Sequence, residues 1–556
     1  MTSFALQELK LLDNAMGSGH VLAYAFDVFM QLYTAEGFRE RDAAELIMTN
    51  NLFGLEIDKR AYQLAYFAIM MKGREYNRRI LSKDIKLNLH QFIDSPEIPN
   101  EYFERLAEVS PYSYELTTTL LNQLTRLLDQ FKNATEIGSI LKIEELRQSE
   151  LDQLEQFIGS FKIFSDMDVL YQLPEIQTKV ISILNITRVL MTKYTAVTTN
   201  PPYLNKMSSN LDKYVKKNYP DVKTDLFSVF IKMNSNILTD GGYAGFMTPF
   251  VWMFIKSYEE LRSFLITNKS ISSLIQMEYS AFEEATVPVC CFMIKNARTE
   301  PVGNYLKLSD FKGGMTVQKE KVLKAIQCNN VDYFYRTNQN KLINIPGSPI
   351  SFWVSENILK LFTMPSFVDK VNFKEGITTA NNSLFLRYWF EIDALNKNWI
   401  PYNKGGSYRK WFGNNDYLVN WYDDGNVIKN YPGSSFRNKS FQRSDGATFS
   451  ALTSGNFSVR KSVSNAAFDS KGTMFFSEKY NLYNIIGYMN TNLFQKLLSY
   501  VSPTLDYRFG TIQKLPLLYI NVENIVKQNI LLSKKEYTSF ETTNDFSQHP
   551  LIGEIV

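Results

Sequence analysis

The sequence predicts an α/β protein of two domains: a Rossmann-like domain with a helical insertion, followed by an α+β domain. Two observations near the N-terminus predict the first domain, namely a glycine turn between a strand and a helix, and a second buried strand that ends in an acid. A third observation, a change of composition after residue 300, predicts the second domain. A chain of 556 residues is long enough for two or three hydrophobic cores.

Strands and helices alternate in the N-terminal part of the sequence. Residues 9–12 are a short, mostly apolar run before the glycine turn, and residues 21–32 carry apolar side chains at helical spacing. Residues 51–58 are predicted to be a second buried strand, and residues 59–72 a second helix. This βαβα order predicts a parallel sheet with helices on both faces.

The remainder of the first domain, expected over residues 1–300, contains the insertion and further strands. Residues 96–188 are predicted to be the helical insertion, because residues 144–157 combine acids and leucines at helical spacing and lack glycine. The β-branched residues of 194–199 favour a strand. Further strands are predicted at 243–248, 272–277 and 287–295.

The second domain is expected over residues 301–520, followed by a C-terminal tail at 521–556. Helical periodicity weakens there, and Gly, Asn, Ser, Tyr and Trp become frequent, as in residues 402–411. Aromatic residues make up 14% of the chain, and we expect most of them in the cores and a minority on surfaces that meet bases or sugars.

Composition narrows the possible classes of protein. A formal net charge of +3 neither supports nor excludes DNA as a partner. Three cysteines and three histidines are too few and too scattered for a zinc site, so no metal is expected, and Cys290 and Cys291 are predicted to be buried free thiols. The start lacks the features of a signal peptide, and the most apolar stretch, residues 243–255, is too short to span a bilayer. We therefore expect a cytoplasmic protein without membrane contact.

The glycine turn and the acid after the second strand form a candidate cofactor site. Its residues are Asp13, Ala15, Gly17, Gly19 and Glu56. The glycines let the backbone turn tightly and approach a ligand at the C-terminal edge of a parallel sheet. Glu56 is placed to accept hydrogen bonds from both ribose hydroxyls of an adenosyl cofactor. The alternatives are a purely structural turn and a solvated charge at a helix N-terminus.

The tetrapeptide Asn200-Pro201-Pro202-Tyr203, directly after a predicted strand, is the candidate catalytic segment. The exocyclic amine of adenine is a poor nucleophile because its lone pair is delocalised into the ring. The Asn200 side-chain oxygen and the Pro201 carbonyl would accept both amine protons and turn the lone pair toward a sulfonium methyl group. Two prolines stiffen the backbone, and Tyr203 offers a flat face on which an extruded base can stack. The alternative is a proline-rich turn.

The order of these motifs resembles the gamma-ordered class of adenine-N6 DNA methyltransferases. The resemblance consists of Asp-x-Ala-x-Gly-Ser-Gly, Gly-x-Glu-Ile-Asp and Asn-Pro-Pro-Tyr at residues 13–19, 54–58 and 200–203. Within this class, the chain is similar to the PglX-like methyltransferases of BREX phage-defence systems from about Leu9 to beyond Phe476. The segments that carry this similarity are 17–20, 216–221, 225–227, 402–406 and 409–411.

The resemblance implies an activity, a cofactor and partners. The first domain would be a Rossmann-like S-adenosylmethionine-dependent methyltransferase domain, and the second a DNA target-recognition domain. The methyl group would go to N6 of a flipped adenine in double-stranded DNA, marking self DNA in phage defence, with other BREX proteins as partners. The resemblance also implies that Asp94 accepts from the adenine amine of the cofactor and that Phe282 lies against the flipped base. The alternatives for these two are a surface loop acid and a core side chain. Residues 506–516 are similar to the closing strand and turn of target-recognition domains.

Basic residues of the second domain are candidates for DNA contacts, since they stand among Tyr, Trp, Asn and Gly, a mixture that can meet phosphates and base edges. The candidate DNA-binding residues are Lys404, Arg409, Lys410, Arg437, Lys439 and Arg443. The alternative is a solvated loop face.

The chain also departs from the family pattern. Asn14 and Met16 stand where the family usually has Pro and Cys. Twelve residues precede Asp13, whereas relatives place another cofactor-lining segment upstream, so a truncated copy is expected. Two alternative functions remain: a catalytically silent, truncated DNA-binding copy, and a glutamine-N5 protein methyltransferase, which uses the same tetrapeptide on an amide nitrogen. The large second domain argues against the latter.

Overall fold

The computed structural model describes residues 5–144, 146–160, 173–279, 287–298, 301–452, 455–501, 507–546 and 548–553. The chain divides into two compact units. The first unit comprises residues 1–253 and 257–340, and the second comprises residues 254–256 and 341–556. Within the described ranges, no helix is both long and apolar enough to cross a membrane.

A nine-stranded sheet lies at the centre of the first unit. Its strands are β1 (Leu11–Asp13), β2 (Leu52–Glu56), β3 (Asn88–Gln91), β4 (Tyr194–Thr199), β5 (Leu238–Pro249), β6 (Ser270–Gln276), β7 (Val289–Lys295), β8 (Val302–Lys307) and β9 (Phe334–Asn338). Their order is β3-β2-β1-β4-β5-β7-β6-β8-β9. Strands β1 to β5 are parallel, as predicted, whereas β7 is antiparallel to both β5 and β6.

Helices connect these strands and supply the insertion. They are α1 (His20–Ala35), α2 (Glu40–Leu46), α3 (Lys59–Tyr76), α4 (Asn100–Glu108), α5 (Tyr114–Gln130), α6 (Ala134–Ile137), α7 (Gln148–Gly159), α8 (Leu173–Met191), α9 (Ser209–Asn218), α10 (Leu226–Asn236), α11 (Glu259–Asn268) and α12 (Gly314–Gln327). Helices α4 to α7 and most of α8 lie within the predicted insertion at 96–188. Helix α8 ends three residues before β4 and packs on β3, so it also serves as the crossover between these strands.

A buried asparagine fixes the entry of the chain into β1. The Asn51 side chain is fully buried, and its amide donates to the carbonyls of Leu6 and Leu9, both at 2.7 Å. Its oxygen accepts from the Tyr33 hydroxyl of α1 at 3.0 Å. A buried amide is stable only when its donors and acceptor are satisfied. Asn51 therefore joins the N-terminal segment, α1 and the start of β2.

The first unit extends beyond residue 300, where a domain boundary was expected. Strand β8 pairs in parallel with β6, and β9 pairs antiparallel with β8. The buried side chain of Gln339 donates to the carbonyls of Ile266 and Lys269 at 2.9 and 2.6 Å and accepts from the Ile271 amide at 2.7 Å. The change of amino-acid composition after residue 300 comes before the end of the sheet. The reason is that β8 and β9 lie at the margin of the sheet and are less apolar than its central strands.

We expect Gln339→Ala to lower the free energy of unfolding by on the order of 3 kcal/mol, because it leaves a buried amide and two buried carbonyls without partners. Chemical denaturation of the whole chain measures this change. Gln327→Ala, at the exposed end of α12, is the matched control and should change stability by less than about 0.5 kcal/mol. Equal effects of the two substitutions would contradict the assignment of residues 301–340 to the first unit.

The second unit has the predicted α+β architecture. Its strands are β10 (Asn372–Lys374), β11 (Leu386–Tyr388), β12 (Trp399–Asn403), β13 (Tyr417–Asn420), β14 (Ala447–Phe449), β15 (Val459–Lys461), β16 (Ala467–Phe468) and β17 (Met474–Phe476). They form two four-stranded sheets with the orders β10-β17-β14-β15 and β11-β13-β12-β16. Its helices are α13 (Glu356–Leu361), α14 (Asn382–Phe385), α15 (Asn426–Lys429), α16 (Leu482–Met489), α17 (Asn492–Val501), α18 (Phe509–Ile512), α19 (Glu523–Tyr537) and α20 (Pro550–Gly553).

The expected C-terminal tail at 521–556 is in part an integral element of this unit. Helix α19 packs against α16, where a Cβ added to Gly487 would lie 2.7 Å from Val522 and 2.8 Å from Val526. The side chains of Val526 and Tyr537 are buried. The sequence pattern of α19 is mostly polar, which is why its few buried contacts were not predicted.

Candidate active site

The glycine turn and the end of β2 meet at one edge of the sheet. Strands β1 and β2 are parallel neighbours, with Asp13 in register with Gly54, so their C-terminal ends lie side by side. The Gly17 amide donates to Glu56 Oε2 at 2.8 Å, and the Met16 amide donates to the Leu55 carbonyl at 3.2 Å. The structure thus brings together the two halves of the predicted cofactor site.

Three backbone amides hold the Glu56 carboxylate. Besides the bond from Gly17, Oε1 accepts from the amides of Ile57 and Asp58 at 2.8 and 2.9 Å. A carboxylate has roughly four acceptor positions, so about one remains open. Glu56 can accept one ribose hydroxyl without losing these bonds, and a second hydroxyl would have to share an acceptor position. Binding of both hydroxyls remains a prediction.

Gly19 is required by both its conformation and its surroundings. Its φ is 85°, in the left-handed region, and it immediately precedes α1. A Cβ at this position would lie 3.0 Å from the Cα of Ala65 in α3. The absence of a side chain at Gly19 therefore allows the start of α1 to lie close to α3. Gly17 also has a positive φ, 53°, but open space around it. Gly19 therefore sets where α1 begins.

The two departures from the family pattern have different structural consequences. Met16 is buried and packs over Gly54 of β2, where it fills part of the apolar core. Asn14 is also buried, and its side-chain amide exchanges two hydrogen bonds with that of Asn234 in α10, at 2.7 and 3.2 Å. The Asn14 carbonyl accepts from the Ser139 hydroxyl. Asn14 thus ties the glycine turn to α10.

A double-mutant cycle should show that Asn14 and Asn234 act as a pair. Asn14→Ala or Asn234→Ala alone leaves a buried amide unsatisfied and should lower the free energy of unfolding by about 1–3 kcal/mol. The double variant should be more stable than the sum of the single changes predicts, by at least about 0.5 kcal/mol. Urea denaturation of the four proteins measures this coupling energy, and strict additivity would refute the pairing.

Asp13, at the end of β1, is an unusual acid because it is almost completely buried. Burial raises the pKa of Asp13 to about 7, and the nearby negative charge of Glu56 adds to this rise. The Thr199 hydroxyl and the Ala15 amide, which donates to Asp13 Oδ1 at 3.2 Å, lower it in part. A buried acid that is easily protonated avoids most of the free-energy cost of burying a charge while no ligand is bound. It becomes ionised beside a positively charged ligand.

The raised pKa of Asp13 predicts a pH-dependent stability of the ligand-free chain. Between about pH 4 and 7, the folded state keeps a proton that the unfolded carboxyl has lost, so this group's contribution decreases as pH rises through that interval. Asp13→Asn should therefore raise the melting temperature more at pH 8 than at pH 5. Gln153→Ala, which changes an exposed side chain of α7 that does not titrate, is the control and should show the same shift at both pH values. Parallel melting curves for Asp13→Asn would contradict the burial effect.

The Asn200-Pro201-Pro202-Tyr203 segment follows β4, the direct neighbour of β1. The Tyr203 hydroxyl lies 3.1 Å from Asn200 Oδ1 and 3.2 Å from the Met247 carbonyl, and it can donate its single proton to either. Asn200 is exposed, and no donor within the described residues bonds to the Pro201 carbonyl. Asn200 is therefore accessible to a ligand, whereas Pro201 is buried, and the use of its carbonyl by a substrate amine remains a prediction.

Tyr203 is half-exposed, at 39%, and rests edge-on against Phe227 with ring centroids 6.2 Å apart. Partial burial, together with the nearby thiols of Cys290 and Cys291, raises the pKa of Tyr203 to about 12, so its hydroxyl is protonated at neutral pH. Cys290 is buried, as predicted, and Cys291 is partly buried. Phe227 thus supports the Tyr203 ring while part of the ring stays accessible.

Two residues suggested by the resemblance have different outcomes. Asp94 follows β3, the strand beside β2, and is exposed, with its carboxylate accepting from the Thr135 amide and hydroxyl at 2.9 and 2.8 Å. Its position at the cofactor edge is compatible with the predicted contact, although its present partner, Thr135, belongs to α6 within the insertion. Phe282 lies outside the described residues, as does Asp506 of the closing motif.

In the second unit, two predicted DNA-binding residues are anchored within the protein. Arg409 forms an ion pair with Glu536 at 2.8 Å and lies over the Tyr537 ring, 5.0 Å from its centroid. Lys410 donates to the Asn490 carbonyl at 2.8 Å. Both cations bind other parts of the same unit, which favours a structural role for them.

Three further basic residues lie on exposed loops. Arg437 pairs with Glu375 and Lys439 pairs with Asp424, both at 2.8 Å, while more than half of each cation stays exposed. Arg443 has a positive φ of 69°. Surface ion pairs of this kind are weak and exchange readily for phosphate, so Arg437 and Lys439 remain candidates for DNA contacts. Arg443 remains a candidate because it is exposed.

The remaining candidate, Lys404, lies at one end of a stack of aromatic rings that sequence analysis did not detect. Its Nζ is 4.7 Å from the Tyr417 ring centroid. Tyr417 stacks on Tyr388 at 4.9 Å, and Tyr388 stacks on Phe390 at 5.4 Å with ring planes only 3° apart. Phe390 is 66% exposed. The alternation of Tyr388 and Phe390 was the available signal, but the third ring comes from another strand.

The first unit has the fold and motif order of an S-adenosylmethionine-dependent methyltransferase. Four features define this class: the sheet order, the glycine turn after β1, the acid at the end of β2 and the Asn-Pro-Pro-Tyr loop after β4. Sequence comparison narrows this class. Residues 50–282 match the Eco57I restriction-modification methylase family.

Two similar proteins are adenine-specific methyltransferases. PglX of Lacticaseibacillus casei (strain Zhang) is 33% identical over 99% of this chain, and BrxX of Escherichia coli O9:H4 (strain HS) is 30% identical over 98% of it. The alignments cover 48% and 47% of those proteins, so the chain spans about half the length of these relatives. These findings confirm the predicted resemblance: the chain is a relative of the PglX-like adenine-specific methyltransferases.

One solved structure supports the fold. The nuclease-deletion mutant of the Type ISP restriction-modification enzyme LlaGI, in complex with a DNA substrate mimic, superposes with a TM-score of 0.51. The match covers 95% of this chain and 44% of that chain at 11% identity. At this identity the likeness establishes the fold and leaves the chemistry to the site.

Proposed function

We propose that this chain transfers a methyl group from S-adenosylmethionine to N6 of an adenine flipped out of double-stranded DNA. The observation that carries the proposal is that a glycine turn bound to Glu56 and an Asn-Pro-Pro-Tyr loop with an exposed Asn200 follow neighbouring strands of one sheet. The first suits an adenosyl cofactor and the second a planar amine.

The residues of the glycine turn fit this cofactor. S-adenosylmethionine would supply an electrophilic methyl group on a positively charged sulfur. Gly17 and Gly19 leave the turn free of side chains, Glu56 keeps an acceptor position for a ribose hydroxyl, and buried Asp13 would be ionised by a nearby positive charge. Asp94, Ala15 and the rest of the turn would complete the pocket.

The tetrapeptide prepares the substrate amine. Asn200 Oδ1 and the Pro201 carbonyl would each accept one N6 proton, which withdraws the lone pair from the ring and directs it at the methyl group. Tyr203, supported from behind by Phe227, would stack on the flipped base. Pro201 and Pro202 limit the backbone movements that would otherwise misplace the Pro201 carbonyl.

The second unit supplies the features expected of a DNA-reading domain. Exposed Arg437, Lys439 and Arg443 can meet phosphates, and the stack ending in Phe390 offers a flat apolar surface to bases. LlaGI, whose fold is similar, was solved with a DNA substrate mimic. We further propose a cytoplasmic role in phage defence and self-marking with other BREX proteins, because of the similarity to PglX and BrxX.

The proposal predicts DNA methylation that depends on Asn200. The purified chain, with methyl-labelled S-adenosylmethionine and genomic DNA from a strain without adenine methylation, should place label on N6 of adenine. Asn200→Ala should reduce the rate by about 100-fold or more, because it removes a group aimed at the reacting amine. Asn122→Ala, at an exposed position of α5 outside the candidate site, is the matched control and should stay within about twofold of the unchanged chain.

Calorimetry with S-adenosylhomocysteine separates loss of chemistry from loss of cofactor binding. Asn200→Ala should bind this product with the affinity of the unchanged chain, and Glu56→Ala should bind it at least about tenfold more weakly. Binding of S-adenosylhomocysteine without any methyl transfer to DNA would favour a catalytically silent DNA-binding copy. Label on glutamine of added protein, and none on DNA, would favour the glutamine methyltransferase alternative.

A further inference from the structure

We propose that Asp225 is a positioning residue that holds the Asn-Pro-Pro-Tyr loop in its reactive conformation. The inference rests on the proposed function and adds to it a specific residue that touches neither substrate nor cofactor. Asp225 precedes α10 and is buried, with 7% of its surface exposed.

The contacts of Asp225 reach the loop directly. Its Oδ1 accepts from the amide of Leu204, the residue after Tyr203, at 2.9 Å. The same oxygen accepts from the Phe227 amide in the first turn of α10 at 3.3 Å. In the opposite direction, the Leu226 amide donates to the Leu204 carbonyl at 3.1 Å. The end of the loop is therefore bonded through both its amide and its carbonyl.

The aromatic contacts continue this connection to the ring of Tyr203. Phe227 is almost completely buried, meets Tyr203 edge-on at 6.2 Å and packs against Tyr258 at 5.5 Å. Asp225 thus places the backbone after Tyr203, and Phe227 places its ring. Loop residues are positioned accurately only where supporting contacts limit their movement.

The pattern of bonds exceeds what a helix cap requires. An N-cap side chain accepts from an amide of the first helical turn, as Asp225 does through Phe227. The shorter bond, however, goes to Leu204, which is 21 residues away in sequence. Burial raises the pKa of Asp225 while the amide bonds lower it, so a carboxylate is kept inside at a desolvation cost that a surface cap avoids.

The other end of α10 contacts the cofactor edge. Asn234, nine residues after Asp225 on the same helix, pairs with Asn14 of the glycine turn. A helix is rigid over this length. Fixing the loop to the start of α10 therefore also fixes the distance between the loop and the glycine turn. Methyl transfer requires a defined distance between the cofactor and the substrate amine.

Asp225→Ser tests this role without removing the helix cap, since serine caps helices about as well as aspartate but is too short to reach the Leu204 amide as well. We expect the melting temperature of this variant to stay near that of the unchanged chain. Hydrogen exchange of the 200–207 segment should become faster. The kcat for DNA methylation should fall about 10- to 100-fold, while KM for S-adenosylmethionine stays within about threefold.

Two further variants complete the experiment. Asp225→Asn keeps the Oδ1 acceptor and should restore both slow exchange and kcat to within about threefold of the unchanged chain. Ser113→Ala removes the cap of α5, where Ser113 accepts from the Leu116 amide at 3.4 Å, and should change neither. Unchanged exchange and kcat in Asp225→Ser would overturn the proposal. If the unchanged chain has no methyl-transfer activity, the proposed function fails, and exchange at 200–207 still decides whether Asp225 holds the loop.

Discussion

The hydrogen bond from the Gly17 amide to the Glu56 carboxylate connects the two strand ends on which the candidate site is built. The glycine turn has few side chains of its own and would have many conformations in isolation. Bonding to Glu56, whose other oxygen is held by the amides of Ile57 and Asp58, gives the turn one conformation. Glu56 is thus a structural anchor as well as the predicted ribose acceptor.

Buried polar groups perform the same task elsewhere in the first unit. Asn51 joins the N-terminal segment to α1 and β2, Asn14 pairs with Asn234, and Gln339 attaches the end of β9 to β6. Each of these side chains would be costly without its partner. A shift of one element therefore leaves several groups unsatisfied at once, which favours a single arrangement of the sheet edge.

The second unit uses its basic residues in two ways. Arg409 and Lys410 hold loops to α19 and to the end of α16, whereas Arg437 and Lys439 remain largely exposed in weak ion pairs. Residue type alone does not distinguish these uses, because every cation among loops has the same sequence signature. The stack of Phe390, Tyr388 and Tyr417 likewise combines rings from separate strands.

The sequence by itself determined the local features of this protein. The strand, turn and helix around Gly17, the acid at the end of β2, the helical insertion and the Asn-Pro-Pro-Tyr loop after β4 all follow from short-range patterns, because backbone turns and hydrophobic periodicity depend on neighbouring residues. Those patterns also sufficed for the resemblance to adenine-N6 methyltransferases. These patterns located the candidate site but did not reveal the buried polar contacts that support it.

Only the tertiary structure decided which distant groups meet. Hydrogen bonds join Asn14 to Asn234, Leu204 to Asp225 and Thr135 to Asp94. The residues of each pair are far apart in the sequence, and the sequence pattern does not specify the path of the chain between them. The first unit ends at residue 340 for the same reason, since β8 joins the sheet through pairing with β6, which no local periodicity reveals. Parallel pairing is a long-range contact, so it emerges only when the whole sheet is assembled.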